Sequence, residues 1–568
     1  MDALFLHMES AEMPTHVGSL HVLQLPEGYD GDFFEEVKQY LTGRLHLATV
    51  FTRKLAFMPF DLSDPVWVED EQLDLEHHIR HITLSKPGSN RQLQQAVARS
   101  HASLLDRSRP LWEVTIIDGL RSGEVALYAK VHHANVDGQA GIELVRSLFD
   151  DVPSGRVIPP AQPRLRRNQY QLGVAELAGA AIGNAGRQYV KLAKMLPDML
   201  RAGRSMLPVI GDGNLRNWRS LDPRKLLAPR TPLNVAITNQ RSFAGRTVPL
   251  AEIKDMARQL DVSFNDVVMA TVSGALRRYL KASGELPEKP LTAAAPVSLR
   301  APGDDTANNQ VSMLVVDLAT DEADPLQRLQ RINASSTQRK AAMNKFRSAI
   351  PMDFPIFAAP WLLSGMAAMY GRSRLANWMP PPANLVISNV TGIPAQLYFA
   401  GAKVLCYYPV SIPSHGMALN VTVTSYHDRL DYGLIACRRA LPDLNDLGDH
   451  LLAEHRRLLE LARKKAAAAA QDKGGDKPAS QKHSAAVKAV ASKQGEAADK
   501  PAAKAGNPAK ALPKARPAAP PRRKANGAAA QQPSPAPQPA AAEATQVPVI
   551  PAPARRAAAP RGPRGGGR

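Results

Sequence analysis

The chain has 568 residues, 22% of which are charged, and its formal net charge is +19. This length is too great for one hydrophobic core and predicts two folded domains with accessory segments. The two cysteines, Cys406 and Cys437, occur in apolar, strand-like runs typical of buried thiols, which argues against a disulfide or a nucleophile. The sequence contains no CxxC pair and no HExxH helix, so it predicts no metal site. The N-terminus lacks the basic region and apolar core of a secretory signal, which favours a cytoplasmic location.

Residues 1–150 alternate strand and helix patterns and predict an N-terminal α/β lobe. The runs 111–117 and 125–129 are apolar enough for buried strands, and 142–149 has the spacing of a helix. Between the second strand and this helix lies the segment His132-His133-Ala134-Asn135-Val136-Asp137-Gly138. Two histidines therefore stand where a strand ends, and a carboxylate and a glycine follow before the helix begins.

This HHxxxDG segment is a candidate general-base site. Histidine has an unperturbed pKa of about 6.5, which suits proton abstraction near neutral pH. Gly138 permits a close approach of backbone or ligand. Such chemistry favours transfer to a hydroxyl or an amine. The alternative is that both histidines only make structural hydrogen bonds, and the segment alone does not decide between the two.

Residues 151–230 differ in composition and predict a helical crossover linker. Four prolines between residues 153 and 163 precede an Ala- and Gly-rich run, and spaced basic residues follow it. Two interpretations stay open for this stretch. It forms either a basic amphipathic helix on a membrane surface or a solvated helix packed on one side.

From residue 231 to 466 the α/β pattern resumes and predicts a C-terminal lobe. Ser263 is a candidate helix N-cap, strands are predicted at 291–298, 311–317, 383–388 and 417–423, and a last helix is predicted at 443–465. Residues 375–427 contain one formal charge, Lys403, which predicts a buried sheet that lines an apolar channel. Prolines break the uncharged run 354–371, which favours a buried or membrane-touching helix over a membrane span.

The tail, residues 467–568, is predicted to be disordered, because its Ala, Lys, Pro and Gly cannot bury enough apolar area to offset the entropy of ordering. Residues 471–568 contain 18 Lys and Arg against 5 Asp and Glu, so +13 of the net charge lies there. This charge favours non-specific binding to anionic lipid or nucleic acid, and a purely solubilising role is the alternative. The tail lacks aromatic residues interleaved with basic ones, a pattern that would predict sequence-specific nucleic-acid binding.

Six motifs in order give the chain its resemblance to a known family. After Glu9-Ser10 they are Pro14-Thr15-His16-Val17-Gly18, Arg109-Pro110-Leu111-Trp112, the HHxxxDG segment, Asn265-Asp266-Val267-Val268, Pro296-Val297-Ser298-Leu299-Arg300 and Ser388-Asn389-Val390-Thr391-Gly392. With these motifs the chain resembles the bacterial wax ester synthase/diacylglycerol acyltransferase family from its N-terminus to about residue 465. It departs from the family pattern in three places. Thr15 stands where the family often has Met, residues 308–310 stand where the family often has Gly-Asn, and the long tail is not part of the pattern.

The resemblance implies a two-lobed α/β fold like that of chloramphenicol acetyltransferases and peptide-synthetase condensation domains, with a channel between the lobes. It also implies transfer of an acyl group from a coenzyme A thioester to diacylglycerol or a long-chain fatty alcohol. By resemblance, His133 is the general base, no acyl-enzyme forms, and acyl-CoA is a co-substrate rather than a bound cofactor.

We also predict roles for the neighbouring residues. Asp137 is expected to hold the loop by pairing with Arg300, and Gly138 to allow tight packing. His132 is expected either to orient His133 or line the channel, or to be purely structural. Four residues of the second lobe are expected to line or support the channel: Asn265, Asp266, Ser388 and Asn389. The sequence leaves the coenzyme A contacts, the preferred acceptor and the acyl chain length open.

The expected partners are acyl-CoA, the lipid acceptor and, peripherally, the inner face of a membrane or a lipid inclusion. We expect a monomer or a homodimer. Two other functions stay open, namely an amide-forming condensation-type acyltransferase and a non-catalytic protein that coats lipid droplets or membranes. An amine acceptor assayed against an alcohol acceptor separates the two enzymatic alternatives.

Overall fold

The computed structural model describes residues 2–57, 65–136, 138–160, 227–298, 311–346, 369 and 374–474. These residues belong to one compact unit, Met1–Pro478. Asp137, Arg300, most of the predicted linker, nearly all of the run 354–371 and the tail from residue 475 lie outside the described residues.

The first sheet has six strands: β1 (His16–Gln24), β4 (Ile79–Thr83), β5 (Trp112–Asp118), β6 (Val125–His132), β11 (Tyr398–Phe399) and β12 (Ala402–Val410). Their order across the sheet is β11-β12-β1-β6-β5-β4. Neighbours run antiparallel, except that β4 is parallel to β5. The two strands predicted at 111–117 and 125–129 are therefore adjacent in the middle of this sheet.

Helices cover both faces of this sheet. They are α1 (Asp2–Met8), α2 (Phe33–Thr42), α3 (Leu75–His78), α4 (Asn90–His101) and α5 (Gly138–Leu148). Apart from this sheet, β2 (Arg53–Ala56) pairs with β3 (Val66–Glu69) in a separate two-stranded sheet. Side chains alternate along β6, so Leu127 packs with α2 and α5 while Tyr128 packs with α4. α4 begins at a capping box in which Ser89 and Gln92 exchange hydrogen bonds.

The second sheet also has six strands: β7 (Arg241–Pro249), β8 (Thr292–Ser298), β9 (Val311–Asp317), β10 (Leu385–Ile393), β13 (Leu419–Tyr426) and β14 (Arg429–Cys437). Their order is β7-β14-β13-β10-β8-β9, with β10 parallel to both β13 and β8 and the other pairs antiparallel. The four strands predicted for this lobe are confirmed to within a few residues.

In the described residues, four helices accompany the second sheet: α6 (Leu250–Leu260), α7 (Phe264–Ala282), α8 (Pro325–Phe346) and α9 (Leu444–Gly474). The predicted N-cap of α7 is confirmed, because the Ser263 hydroxyl accepts from the Asp266 N–H at 3.2 Å. α9 continues beyond its predicted end at residue 465, since the run of alanines at 466–470 consists of the strongest helix formers.

β12 joins the two halves of the protein. It follows β10 in the chain but pairs antiparallel with β1 in the first sheet. Where it crosses the second sheet, Gly245 and Gly433 are paired neighbours on β7 and β14. A Cβ at Gly433 would overlap the carbonyl oxygen of Pro409, so the crossing requires glycine there.

Buried polar contacts also hold this crossing. Asp431 on β14 accepts from the Thr247 hydroxyl at 2.5 Å and from the Tyr407 N–H at 2.7 Å. Burial raises the pKa of Asp431 to about 6, although these hydrogen bonds and Arg429 favour its charged form.

The predicted mixed α/β fold with two lobes is confirmed, while the domain boundaries at 150, 230 and 466 stay predictions. Both cysteines are buried free thiols, as predicted. In the described part of the chain, no helix is long and apolar enough to span a membrane.

Candidate active site

The HHxxxDG segment forms a tight turn between β6 and α5. β6 ends at His132, a single 3-10 turn covers His133–Asn135, and α5 begins at Gly138. β1 fixes the position of this turn, because His16 is paired with His132 and the His133 N–H donates to the Thr15 carbonyl at 3.0 Å. The strand end therefore determines where the two histidines lie.

His132 is completely buried and makes hydrogen bonds with both ring nitrogens. Its Nδ1 accepts from the Ala134 N–H at 3.1 Å, so the neutral ring carries its proton on Nε2. That Nε2 lies 3.1 Å from the Thr15 hydroxyl and 3.4 Å from Glu9 Oε1. His132 thus closes the turn on one side and contacts the N-terminal segment on the other.

Glu9 is the residue at this turn that sequence reasoning missed. Its Oε1 accepts from the Thr15 N–H at 3.2 Å, and its Oε2 lies 2.8 Å from the Arg107 guanidinium. Burial favours the neutral acid, but hydrogen bonds from His132 and Thr15 and the charge of Arg107 outweigh it and lower the pKa of Glu9 to about 2. The only sequence signal was the position of Glu9 just before the first motif.

His133 is half-buried, unlike its neighbour. Its ring stacks on Phe5 of α1, with ring centroids 3.9 Å apart and an interplanar angle of 13°. The backbone bond to Thr15 and this stacking fix the ring while leaving part of it accessible. Such a fixed but accessible imidazole has the geometry that a general base needs.

An apolar cavity of about 110 Å³ lies beside this turn. It lies between the first sheet and α5, and its lining includes Val136 of the turn together with Val17 and Val131, but neither His132 nor His133. Trp112 of the predicted PLW motif also lines it and donates from its Nε1 to the Phe51 carbonyl at 3.1 Å.

The other predicted site residues lie in the second lobe. Asn265 and Asn389 are exposed and contact each other, with Asn389 Nδ2 donating to Asn265 Oδ1 at 2.6 Å. Asp266 is buried, and its carboxylate accepts from Ser263 and from the Ser336 hydroxyl, both at 2.6 Å. These contacts close the start of α7 and link it to α8.

The structure brings Asn265 and Asn389 together but joins neither to His133 through a described contact. Ser388 is half-buried on β10, in register with Thr422. The predicted pair of Asp137 and Arg300 lies outside the described residues, and Gly138 is the first residue of α5. Among the described residues, no group of three or more His, Cys, Asp or Glu is arranged to hold a metal ion.

Two family models match the chain. The wax ester synthase/diacylglycerol acyltransferase catalytic domain matches residues 1–268, and the C-terminal domain of the same family matches residues 307–458.

Similar proteins agree with these matches. A putative diacylglycerol O-acyltransferase of Mycobacterium tuberculosis is 36% identical over 457 residues, which are 79% of this chain and 96% of that protein. The O-acyltransferase WSD of Acinetobacter baylyi is 35% identical over 464 residues, 80% of this chain and 95% of that protein.

A solved structure extends the agreement to the fold. The wax ester synthase/diacylglycerol acyltransferase of Marinobacter aquaeolei VT8 has a TM-score of 0.57 and 33% identity, over 81% of this chain and 98% of that one. With two family models and full-length relatives in agreement, the chain belongs to the wax ester synthase/diacylglycerol acyltransferase family of O-acyltransferases.

Proposed function

We propose that the protein transfers a long-chain acyl group from acyl-CoA to the free hydroxyl of a diacylglycerol, a long-chain fatty alcohol, or both, with His133 as the general base. The observation that carries this proposal is the half-buried His133 ring, which is fixed by the backbone bond to Thr15 and by stacking on Phe5. Family membership supplies the class of reaction, and the turn supplies the group that the reaction requires.

An alcohol is a weak nucleophile near neutral pH and needs a base. His133 takes the hydroxyl proton as the alcohol oxygen attacks the thioester carbonyl. The carbon–sulfur bond of the tetrahedral intermediate then breaks, and the same proton passes from His133 to the departing thiolate. Donors to the developing oxyanion typically contribute about 3–4 kcal/mol each.

The neighbours of His133 act as positioning residues in this proposal. His132, Thr15 and Glu9 keep the turn in place, and Asp137 and Gly138 hold the following loop and helix start. Asn265, Asp266, Arg300, Ser388 and Asn389 are assigned to the channel or its support. Acyl-CoA is a co-substrate, and the mechanism uses no metal ion or permanently bound cofactor.

Replacement of the base tests the mechanism. For His133→Ala we expect at least a 100-fold loss of ester formation from acyl-CoA with hexadecanol or diacylglycerol, since general-base catalysis contributes about 10²–10⁴-fold. The control is His81→Ala, because His81 is exposed on β4 and contacts Asp118 rather than the turn. Nearly full activity of a folded His133→Ala protein would exclude His133 as the base.

A further inference from the structure

Helix α1 lies directly against the ring of the proposed base. The Phe5 ring is nearly parallel to the His133 ring, with an interplanar angle of 13° and centroids 3.9 Å apart. At this separation the two ring faces are in van der Waals contact, so the position of Phe5 limits how His133 can rotate. A general base must hold its nitrogen within hydrogen-bonding reach of the hydroxyl. The contacts that fix Phe5 therefore bear on the chemistry of His133.

The end of α1 is fastened by side chains from outside the helix. The last four carbonyl groups of a helix lack partners within it. In α1, which ends at Met8, the Phe5 carbonyl accepts from the Thr15 hydroxyl at 2.9 Å, and the Leu6 carbonyl accepts from Arg107 at 2.6 Å. Thr15 is only 1% exposed, so its side chain is shielded from water. These two bonds set where α1 presents the Phe5 ring.

The Thr15 hydroxyl also faces His132, and the directions of its hydrogen bonds can be assigned. His132 Nδ1 accepts from the Ala134 N–H, so the ring proton is on Nε2, which lies 3.1 Å from Thr15 Oγ1. The hydroxyl therefore accepts from His132 and donates its single proton to the Phe5 carbonyl. The other acceptor near the hydroxyl, Glu9 Oε1, is more distant at 3.4 Å. Three directed hydrogen bonds thus lead from the turn to α1.

These hydrogen bonds form a closed path around His133. The path begins at the N–H of Ala134, the residue after His133, and ends at the carbonyl of Phe5, whose side chain stacks on His133. Thr15 also accepts the His133 N–H through its own carbonyl. Methionine, which the family often has in place of Thr15, has no hydroxyl and could not complete the path. The arrangement therefore depends on a residue at which this sequence departs from the family pattern.

We propose that Phe5 is a positioning residue for His133 and that the Thr15 hydroxyl keeps Phe5 stacked on it. The inference rests on the proposed function and deepens it, since it concerns the base of that reaction. Without the Phe5 ring, the imidazole is free to leave the orientation that suits proton transfer. A misplacement of about 1 Å can cost about 100-fold in rate, because catalysis depends on the geometry of attack. Binding of acyl-CoA and of the alcohol does not depend on this orientation.

Kinetics of variants with and without the ring test the role of Phe5. For Phe5→Leu we expect kcat for ester formation to fall at least about 10-fold while KM for both substrates stays within about 2-fold. Phe5→Tyr keeps an aromatic ring and should retain most of the rate. The matched control is Phe34→Leu, because Phe34 of α2 stacks on His81 with an interplanar angle of 16°, away from the turn. An unchanged kcat in folded Phe5→Leu would overturn the proposal.

A double-mutant cycle shows whether Phe5 acts through the base. In a His133→Ala protein, the additional change Phe5→Leu should cause no further loss of kcat, since the group that Phe5 positions is absent. A loss as large as the one in the wild-type background would show that Phe5 acts on the fold alone, and it would overturn the proposal.

The role of Thr15 is tested by removing its hydroxyl. Thr15→Val should lower kcat without changing KM, and Thr15→Ser should preserve the rate, because serine keeps the hydroxyl. The matched control is Thr271→Val, since Thr271 is buried in α7 and its hydroxyl donates to the Val267 carbonyl at 2.8 Å. Should Thr15→Val not fold, Thr15→Met takes its place, because methionine is common there in the family. An undiminished kcat in the folded variant would refute the role of the hydroxyl.

A spectroscopic measurement separates this inference from the proposed function. A proton held over the face of an aromatic ring is shifted upfield in NMR spectra. In histidine-labelled protein, the Cε1–H signal of His133, assigned by its absence from His133→Ala, should move downfield in Phe5→Leu and in Thr15→Val. If the proposed function is wrong, no pair of acyl-CoA and alcohol gives ester, yet these shifts are found. If the inference is wrong, ester forms and the His133 signal is the same in the variants as in the wild type.

Discussion

A buried carboxylate from the N-terminal segment organises the turn that carries His133. Glu9 contacts His132, Thr15 and Arg107, and its side chain is only 3% exposed. The His132 ring is therefore held between two groups, the Ala134 N–H and the Glu9 carboxylate. This arrangement explains why the two adjacent histidines differ so strongly in burial.

Replacement of Glu9 tests this arrangement. Glu9→Gln removes the charge that pairs with Arg107 and weakens an acceptor of a buried hydrogen bond, so we expect a loss of about 1–3 kcal/mol in unfolding free energy. Urea titration measures the loss, and Glu27→Gln on the exposed surface is the control.

The pH dependence of this loss has a definite sign. The folded pKa of Glu9, about 2, is below its ordinary value of 4.5, so its contribution is fully present above about pH 4.5 and is lost as the pH falls through about 2. A difference between wild type and variant that stayed constant down to pH 2 would contradict the assignment.

Among the elements, β12 has the most consequential placement. It adds a strand from the C-terminal half to the first sheet, and its Tyr407 N–H is held by Asp431 of the second sheet. Each lobe thus contributes to the contacts that position the other. The buried Asp431 carboxylate is a titratable group at this crossing, and its pKa is raised by burial to about 6.

Replacement of Asp431 tests its role in the crossing. Because the folded pKa lies above the ordinary value of 3.8, the contribution of Asp431 is fully present below about pH 4 and is lost as the pH rises through about 6. This change amounts to about 3 kcal/mol. Asp431→Asn should remove that component from the pH profile of unfolding free energy, measured by urea titration. Identical pH profiles for the two proteins would refute the expectation.

At the scale of the whole molecule, the basic tail is the segment that the proposed chemistry does not use. We expect a protein truncated after residue 470 to keep ester synthesis, since the described site residues, from Phe5 to Thr422, all precede the cut. It should lose association with anionic vesicles, because +13 of the net charge is removed. Vesicle co-sedimentation measures the binding, with neutral vesicles as the control. Undiminished binding of the truncated protein to anionic vesicles would rule out the tail as the anchor.

Local patterns in the sequence predicted the strands, the Ser263 cap and the turn with His132 and His133, because each depends on neighbours in the chain. The contacts of Glu9 and the placement of β12 were not predictable in this way. Both join segments far apart in sequence, and an apolar strand pattern does not state which sheet the strand enters. The pair of Asn265 and Asn389 is of the same kind, since their motifs were recognised but not their contact.

The placement of β12 also affects the order in which the protein is assembled during synthesis. β1 emerges from the ribosome long before its neighbour β12, with about 380 residues between them. At about 5–20 residues per second, the outer edge of β1 waits roughly 20–80 s for its partner. An unpaired strand edge is a template for association with other chains. The nascent N-terminal half therefore needs protection during this interval, and its sheet is complete only after most of the second lobe has been made.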